Sequence, residues 1–486
     1  MEGKGSVKPL LSRLLGLIPT EIAPIYRKSE KHFTRNSKLP FSKLITFVLS
    51  ITSSGKSKGV DSKSGEFIKN ARRSGLWPDA EAIHRSTVTK ARNKVPWEVF
   101  EEIHSDSVKL AYELWPESSA YTWKGMSVFA MDGSKYMLPA TAALREEFDP
   151  GSGLQNPGKG HYPQCLVSTA YDVFRRLAVG RTVVAYDSSE RDQAKLLIPK
   201  IPPGNLLLWD RGYPSFEFFK FLNQNYDGYY LFRSPASGSF GVVADFIKSM
   251  KQEDVIVINP PQSYIFKEKS NRQLHQQRRE EKPITLRVIR LESPDGTLSV
   301  LLTNLMDQKE FSQKEITDLY YRRWEIESYY RDEKIFLDID TFHSKTSNGI
   351  RQELFAALVM SVIARILMIT ALPPSPSISP SPSPSQEKEN SKTEALQSPI
   401  ESRATSTLPE PQFKNAAMAL AADAAVLTPH NPEIAAMIFK EVLKEIRRVK
   451  YYRPKVPRGS KPRITKKPPN KWADRNSKRR EKAWMA

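Results

Sequence analysis

The sequence predicts an α/β domain with a mixed sheet at its centre and helical segments on either side. Three observations predict it. From about residue 120 to 235, short apolar runs and amphipathic runs follow the order strand, strand, strand, helix, strand, helix, strand. Two of those apolar runs, MSVFAMD and NLLLWD, end on a carboxylate, Asp132 and Asp210. The chain before residue 115 and after residue 310 shows helical spacing and no strand alternation.

Residues 1–115 read as mostly helical. FSKLITFVLSIT, Phe41 to Thr52, is an apolar helix-like run, and Ala80 to Ile103 reads as two helices around Pro96. Ser86 or Thr87 is the expected cap, and Lys90, Arg92 and Lys94 supply positive charge. The pattern admits a helix-turn-helix that touches DNA and equally a helical bundle with a solvated basic face.

The α/β core is expected over residues 120–372. Gln164 to Asp172 and Arg176 to Tyr186 read as paired strands around FRR. Ser189 to Pro199 is a short capped helix. Asn205 to Asp210 is a buried strand, Pro214 to Asn225 a helix and Gly228 to Ser234 a further strand. Asp132 and Asp210, each at a strand's C-terminal end, are placed side by side, where open α/β sheets bind ligands. Residues 236–305 break the rhythm with DVIVINPP, TLRVIRL and TLSVLLTNL around a strongly charged stretch, and read as a β-rich insertion. Helices return from Phe311 to Phe336.

Leu354 to Leu372 is apolar enough to raise the question of a membrane. Arg365 near its middle would be costly in lipid, and a buried core helix is the reading adopted. Residues 373–411 are rich in Pro and Ser and read as a disordered linker. Residues 412–449 read as a C-terminal helical segment, and 450–486 as a basic tail able to lie along DNA.

Charge narrows the partner. Lys and Arg number 74 against 54 Asp and Glu, a formal net charge of +20. That surplus suits a polyanion, because neutralised phosphates release condensed counterions. A single cysteine, Cys165, excludes an intrachain disulfide framework and a cysteine-rich zinc site. The start MEGKGSVKPLLSRLLGLIP has a short apolar patch and no small-residue cleavage site, so no signal peptide is expected.

The strongest local signal is the set Tyr320, Arg323, Glu327 and Lys334, at offsets 3, 7 and 14. At about 100° per residue these fall within roughly a 60° arc of one helix face. A solvated helix with favourable charge pairs would account for Glu327 and Lys334. It accounts less well for Trp324, Tyr329, Tyr330, Ile335 and Phe336 on the same helix.

The spacing Tyr-x2-Arg-x3-Glu-x6-Lys resembles the Tyr-Arg-Glu-Lys signature of bacterial cut-and-paste insertion-sequence transposases of the DDE class. YRRWEIE at Tyr321 to Glu327 is similar to that family's core motif. AMDGSKYMLP at Ala130 to Pro139 and LLLWDRGYPS at Leu206 to Ser215 resemble the regions of its two aspartates, and LLTNL at Leu301 to Leu305 the strand before the glutamate helix. The resemblance covers residues 30–372 and, weakly, 413–475. The Pro/Ser linker departs from it and puts the carry-over of C-terminal roles in doubt.

The resemblance implies an RNase H-like core with a β insertion between the second aspartate and the glutamate. It makes Asp132, Asp210 and Glu327 a catalytic, metal-binding triad. Two Mg²⁺ ions about 3.5–4 Å apart, with Mn²⁺ as a substitute, would serve phosphodiester hydrolysis and attack by a freed 3′-hydroxyl. Tyr320, Arg323 and Lys334 would grip phosphates, and Arg211 and Tyr213 are further candidates for DNA contact. His343 is given no role, and Trp324 is read as packing. The implied partners are double-stranded DNA, as terminal inverted repeats and as target, and a second copy of the chain in a homodimer when synapsed on DNA. The implied setting is the bacterial cytoplasm, associated with the nucleoid. Two other readings stay open: a silent DNA-binding regulator of transposition, and another RNase H-like nuclease.

Overall fold

The computed structural model describes residues 7–19, 26–35, 37–52, 59–152, 162–236, 240–268, 270–292, 297–336, 342–371 and 410–451. The linker expected over 373–411 and the basic tail expected over 450–486 lie almost wholly outside them.

The chain opens with five helices, α1 (Val7–Leu15), α2 (Phe41–Ile51), α3 (Val60–Arg73), α4 (Arg85–Arg92) and α5 (Glu98–Leu114). Strand β1 (Val128–Met137), α6 (Ala142–Phe148), β2 (Gln164–Asp172), β3 (Leu177–Ala185), α7 (Glu190–Leu197), β4 (Leu206–Trp209), α8 (Phe216–Asn225) and β5 (Tyr229–Pro235) follow. Then come α9 (Gly241–Lys248), β6 (Glu253–Ile258), α10 (Gln262–Ile265), α11 (Arg272–Arg279), β7 (Ile284–Glu292) and β8 (Leu298–Thr303). Helices α12 (Gln313–Tyr320), α13 (Trp324–Phe336) and α14 (Ser347–Thr370) complete the core. Beyond the linker lie β9 (Glu410–Pro411), α15 (Phe413–Ala422), α16 (Pro432–Arg448) and β10 (Lys450–Tyr451).

Eight strands form one mixed sheet in the order β3-β2-β1-β4-β5-β8-β7-β6. β1–β2 and β2–β3 are antiparallel, and β1–β4 and β4–β5 are parallel. That arrangement over β1–β5 is the RNase H-like one. The insertion supplies the three expected strands but is not β-rich, since α9, α10 and α11 lie among them, and it does not make a sheet of its own. β8 pairs antiparallel with β5, so β8-β7-β6 lengthen the central sheet.

Two-residue alternation sorts the strand side chains onto two faces. Val128, Ala130, Leu206 and Leu208 enter one core with the N-terminal helices, α14 and the C-terminal helices. Phe129, Met131, Leu207 and Trp209 enter a second core with α7, α8 and α9. The apolar run that raised the membrane question is α14, which is buried over 89% of its most apolar window and packs against α5, α15 and α2. Arg365 lies over the Phe413 ring at 4.2 Å.

Two details of the N-terminal region differ from expectation. His84, and not Ser86 or Thr87, caps α4, its ring accepting from the Ser86 N–H. Arg92 is 5% exposed and faces inward. Its guanidinium donates to Glu353 Oε1 at 2.8 Å, to Gln352 Oε1 at 3.0 Å and to the Gly349 carbonyl at 2.8 Å. Burial opposes ionisation of Glu353, yet Arg92 and the hydrogen bonds from His343 outweigh it and hold that carboxyl down at about 2. His343, given no role from sequence, is one of those partners.

Candidate active site

The site is built where β1 and β4 run parallel. Their register pairs Val128 with Leu206, Phe129 with Leu207 and Ala130 with Leu208. Two residues further along each chain are Asp132 and Asp210, so the two carboxylates project side by side on the face that carries α13. Asp210 follows the last residue of β4 and sits at a strand end as expected. Asp132 does not: β1 continues to Met137, and Asp132 lies within the strand opposite Thr169 of β2.

The Tyr-Arg-Glu-Lys set approaches from above the sheet. It does not lie on one regular helix. α12 ends at Tyr320, a single 3₁₀ turn spans Tyr321–Arg323, and α13 starts at Trp324. The turn redirects the chain so that Tyr320, Arg323 and Glu327 still converge on the aspartates. The Tyr320 hydroxyl lies 3.5 Å from Asp210 Oδ1. Arg323 Nη2 donates to Glu327 Oε1 at 2.8 Å and stands 3.8 Å from Asp210 Oδ2.

Arg323 therefore occupies the gap between Asp210 and Glu327 as a fixed positive charge. Its side chain is 3% exposed, and Nε and Nη1 have no hydrogen-bond acceptor among the described residues. Burial opposes its charge, and Tyr320, Asp210 and Glu327 more than offset that, keeping the guanidinium ionised. Asp132 shows the opposite balance. Burial pushes its carboxyl up to about 7 against the pull of Arg323 and the Gly133 N–H, with Glu190 and Asp210 adding like charge.

Glu190 is a fourth carboxylate that sequence reasoning missed. It opens α7, where an acidic residue behind a Ser189 cap reads simply as helix stabilisation. It reaches the other side of β1 so closely that a Cβ on Gly133 would stand 2.7 Å from its Cδ. Tyr213 donates to it at 3.4 Å. That placement corrects the expectation of a DNA contact for Tyr213, which is 2% exposed and packed against Trp209. Arg211 is exposed beside the site, its backbone N–H donating to Asp210 Oδ1 at 2.7 Å.

Lys334 lies apart from the carboxylates. Its ammonium donates to Ser134 Oγ at 2.9 Å and to the Lys135 carbonyl at 2.8 Å, above the Tyr136 ring. Trp324 is 47% exposed, so it is not the packing residue that sequence suggested. Tyr330, another residue missed, donates to the Asp132 carbonyl at 2.7 Å.

The donor set suits a hard divalent cation, since all three triad groups offer oxygen. As they are placed, no three such groups among the described residues stand close enough together to hold an ion. The Arg323 guanidinium holds the position between Asp210 and Glu327 that a cation would share. Two strand aspartates, a helix glutamate and a buried arginine on an RNase H-like sheet are the arrangement expected of a DDE-type domain.

Comparison with known proteins agrees. Residues 123–363 match the family described as "Transposase DDE domain". The chain is similar to this domain over those residues, just under half of its length. It is 24% identical over 291 residues to the transposase InsG for insertion sequence element IS4 of Escherichia coli, covering 58% of this chain and 61% of that one. It is 26% identical over 162 residues to the putative transposase InsZ of Escherichia coli, covering 32% and 52%, and 38% identical over 84 residues to the putative transposase y4zB of Sinorhizobium fredii, covering 17% and 23%. The chain thus spans less than two thirds of the length of these relatives. Among solved structures, a piggyBac transposase synaptic complex with hairpin DNA aligns at a TM-score of 0.38 and 9% identity, covering 94% of this chain and 86% of that one.

Proposed function

We propose that the protein is a DNA transposase that cuts at the terminal inverted repeats of an insertion sequence and joins the freed 3′ ends to target DNA. The observation that carries the reading is the placement of Asp132 and Asp210 two residues beyond the parallel β1–β4 register, beside a buried arginine that bridges Asp210 to Glu327 and keeps unused donors. The charge of +20 supports a nucleic-acid partner.

In this reading Asp132, Asp210 and Glu327 would hold Mg²⁺ or Mn²⁺, two ions, with the Arg323 guanidinium displaced from between Asp210 and Glu327. Bound there, the metal would lower the pKa of an attacking water and stabilise the leaving oxygen. The protein's own groups do the rest. Arg323 turns a free donor, Nε or Nη1, to a phosphate beside the scissile bond, a charge-assisted contact that suits a guanidinium. Tyr320 holds Asp210, and Arg211 reaches the DNA from the β4–α8 loop. Lys334 contacts phosphate with the donor not engaged by β1. In cleavage a water oxygen bonds to phosphorus and the chain's 3′ oxygen departs with the electron pair and takes up a proton. In strand transfer the freed 3′-hydroxyl oxygen attacks target phosphorus, and the target's own 3′ oxygen leaves. Two copies synapse two ends as a homodimer.

The test is direct. Purified protein with Mg²⁺ or Mn²⁺ should nick a labelled duplex carrying the repeat that flanks the gene. Asp210→Ala should still bind that duplex and leave it uncut. Equal nicking by Asp210→Ala would sink the assignment.

A further inference from the structure

Six residues beyond Glu327 on α13 lies a second charged cluster that the proposed chemistry does not use. Glu333 and Arg181 of β3 are both 0% exposed at their side chains and pair at 2.8 Å. The Tyr136 hydroxyl of β1 donates to the same carboxylate, and Tyr329 donates to its other oxygen at 3.1 Å. Arg181 also donates from Nη1 to the Leu354 carbonyl of α14 at 2.9 Å and from Nη2 to the Tyr329 hydroxyl at 3.0 Å, with the Thr169 hydroxyl at 3.4 Å. One carboxylate therefore ties α13 to β1 and β3, and one guanidinium ties it to α14.

The sheet register gives this cluster its meaning. Asp132 pairs with Thr169 on β2, and Thr169 pairs with Arg181 on β3. The first aspartate and the buried arginine are the two ends of one row across three strands. Above that row Tyr330 binds the Asp132 carbonyl while Glu333 binds Arg181. A fully buried ion pair adds little stability over a well-packed apolar pair, but it penalises arrangements that part the charges. Sliding α13 by one turn, about 5.4 Å, would strand both charges away from water and carry Glu327 off Asp210.

We infer that Arg181 and Glu333 are positioning residues: their buried pair sets the register of α13 on the sheet and thereby the place of Glu327 opposite Asp132 and Asp210. This rests on the reading of those three residues as the cleaving, metal-holding set.

The experiment uses the full chain in three forms: wild type, Glu333→Gln, and the double variant Arg181→Met with Glu333→Leu. Each is measured for melting temperature, affinity for the labelled end duplex, cleavage rate at saturation, and Mn²⁺ affinity by electron paramagnetic resonance. The double variant leaves the Tyr136 and Tyr329 hydroxyls without the Glu333 acceptor, so it should melt below wild type, yet fold and bind the duplex equally. Its saturated rate should fall about 100-fold, as expected of a misplacement near 1 Å. Its Mn²⁺ affinity should fall about tenfold, the scale seen when groups behind metal ligands are changed. Glu333→Gln keeps the shape and one acceptor and should lose about tenfold in rate at unchanged DNA affinity. A double variant that folds, cuts within threefold of wild type and holds Mn²⁺ equally overturns the inference. If the double variant does not fold, a Glu333→Gln rate within twofold of wild type overturns it. If wild type itself does not cut, the transposase reading fails alone, and the Mn²⁺ affinities of wild type and Glu333→Gln still decide the pair.

Discussion

The two charged clusters along α13 are finished in opposite ways. Around Glu333 and Arg181 the opposite charges meet, every guanidinium nitrogen has an acceptor and both side chains are fully buried. Around Glu327, Asp132, Asp210 and Glu190 the acids outnumber the cation in contact with them. Arg323 keeps two nitrogens without acceptors, and Asp132 is pushed up to about 7. A cluster that serves the fold closes on itself. A cluster that serves a ligand carries unresolved repulsion and unused donors until the ligand arrives.

The contrast breaks first on mutation of the open cluster. Glu327→Ala should lower cleavage by about 10³-fold or more, as removal of one member of a cooperating unit does. Its melting temperature should fall only slightly, because the carboxylate lost is one-third exposed and Asp210 still faces the Arg323 guanidinium. Scanning calorimetry beside a cleavage assay reads both, and a loss of stability matching the loss of rate would erase the distinction. The closed cluster should answer the other way. Arg181→Met alone leaves Glu333 buried without its counter-charge and should cost about 3–5 kcal/mol in urea unfolding. A cost below about 1 kcal/mol would mean that water reaches Glu333 and that the cluster is not closed.

The effect of pH sharpens the comparison further. The Asp132 carboxyl is raised in the folded protein to about 7, burial being the main cause, from an unfolded value near 3.9. The folded state therefore binds the extra proton between those values. This contribution to metal-free stability is complete below about pH 4 and is lost as pH rises through about 7. Thermal melts in chelator should show that decline, and Asp132→Asn should flatten it. Mn²⁺ affinity should run opposite, rising through about pH 7, because the ion takes the carboxylate form.

How much of this was legible in the sequence follows from how local each feature is. Strand and helix periods placed β1–β5 and the apolar α14 correctly, because buried faces leave a repeating pattern. The length of β1 was not legible. Beyond Asp132, where the apolar run ends, it continues through Gly133, Ser134 and Lys135, which pairing with β2 holds in the strand. The β insertion was recognisable, but its joining of the central sheet depends on β5 pairing with β8, a contact between distant segments. Tyr320, Arg323 and Glu327 lie together near Asp210 even though a 3₁₀ turn interrupts the helix that the spacing assumed. Buried charge was the main blind spot. Glu333 sits in RDEK and Arg92 in TKARNK, runs that read as solvated, and only partners from other elements turn them inward.

The smallest predicted effect lies at the seam between the clusters. Tyr330 follows Tyr329 of the closed cluster, and its hydroxyl lies 2.7 Å from the Asp132 carbonyl and 3.2 Å from that of Val167. Tyr330→Phe removes one neutral hydrogen-bond donor and should cost about 1 kcal/mol of stability. If the hydroxyl belongs to the fold alone, the saturated cleavage rate of the folded protein stays at the wild-type value. If it also holds Asp132 against α13, the rate falls severalfold at unchanged DNA affinity. The second outcome is the one expected, because the carbonyl it grips belongs to the aspartate itself. A wild-type rate with lowered stability would assign Tyr330 to the closed cluster.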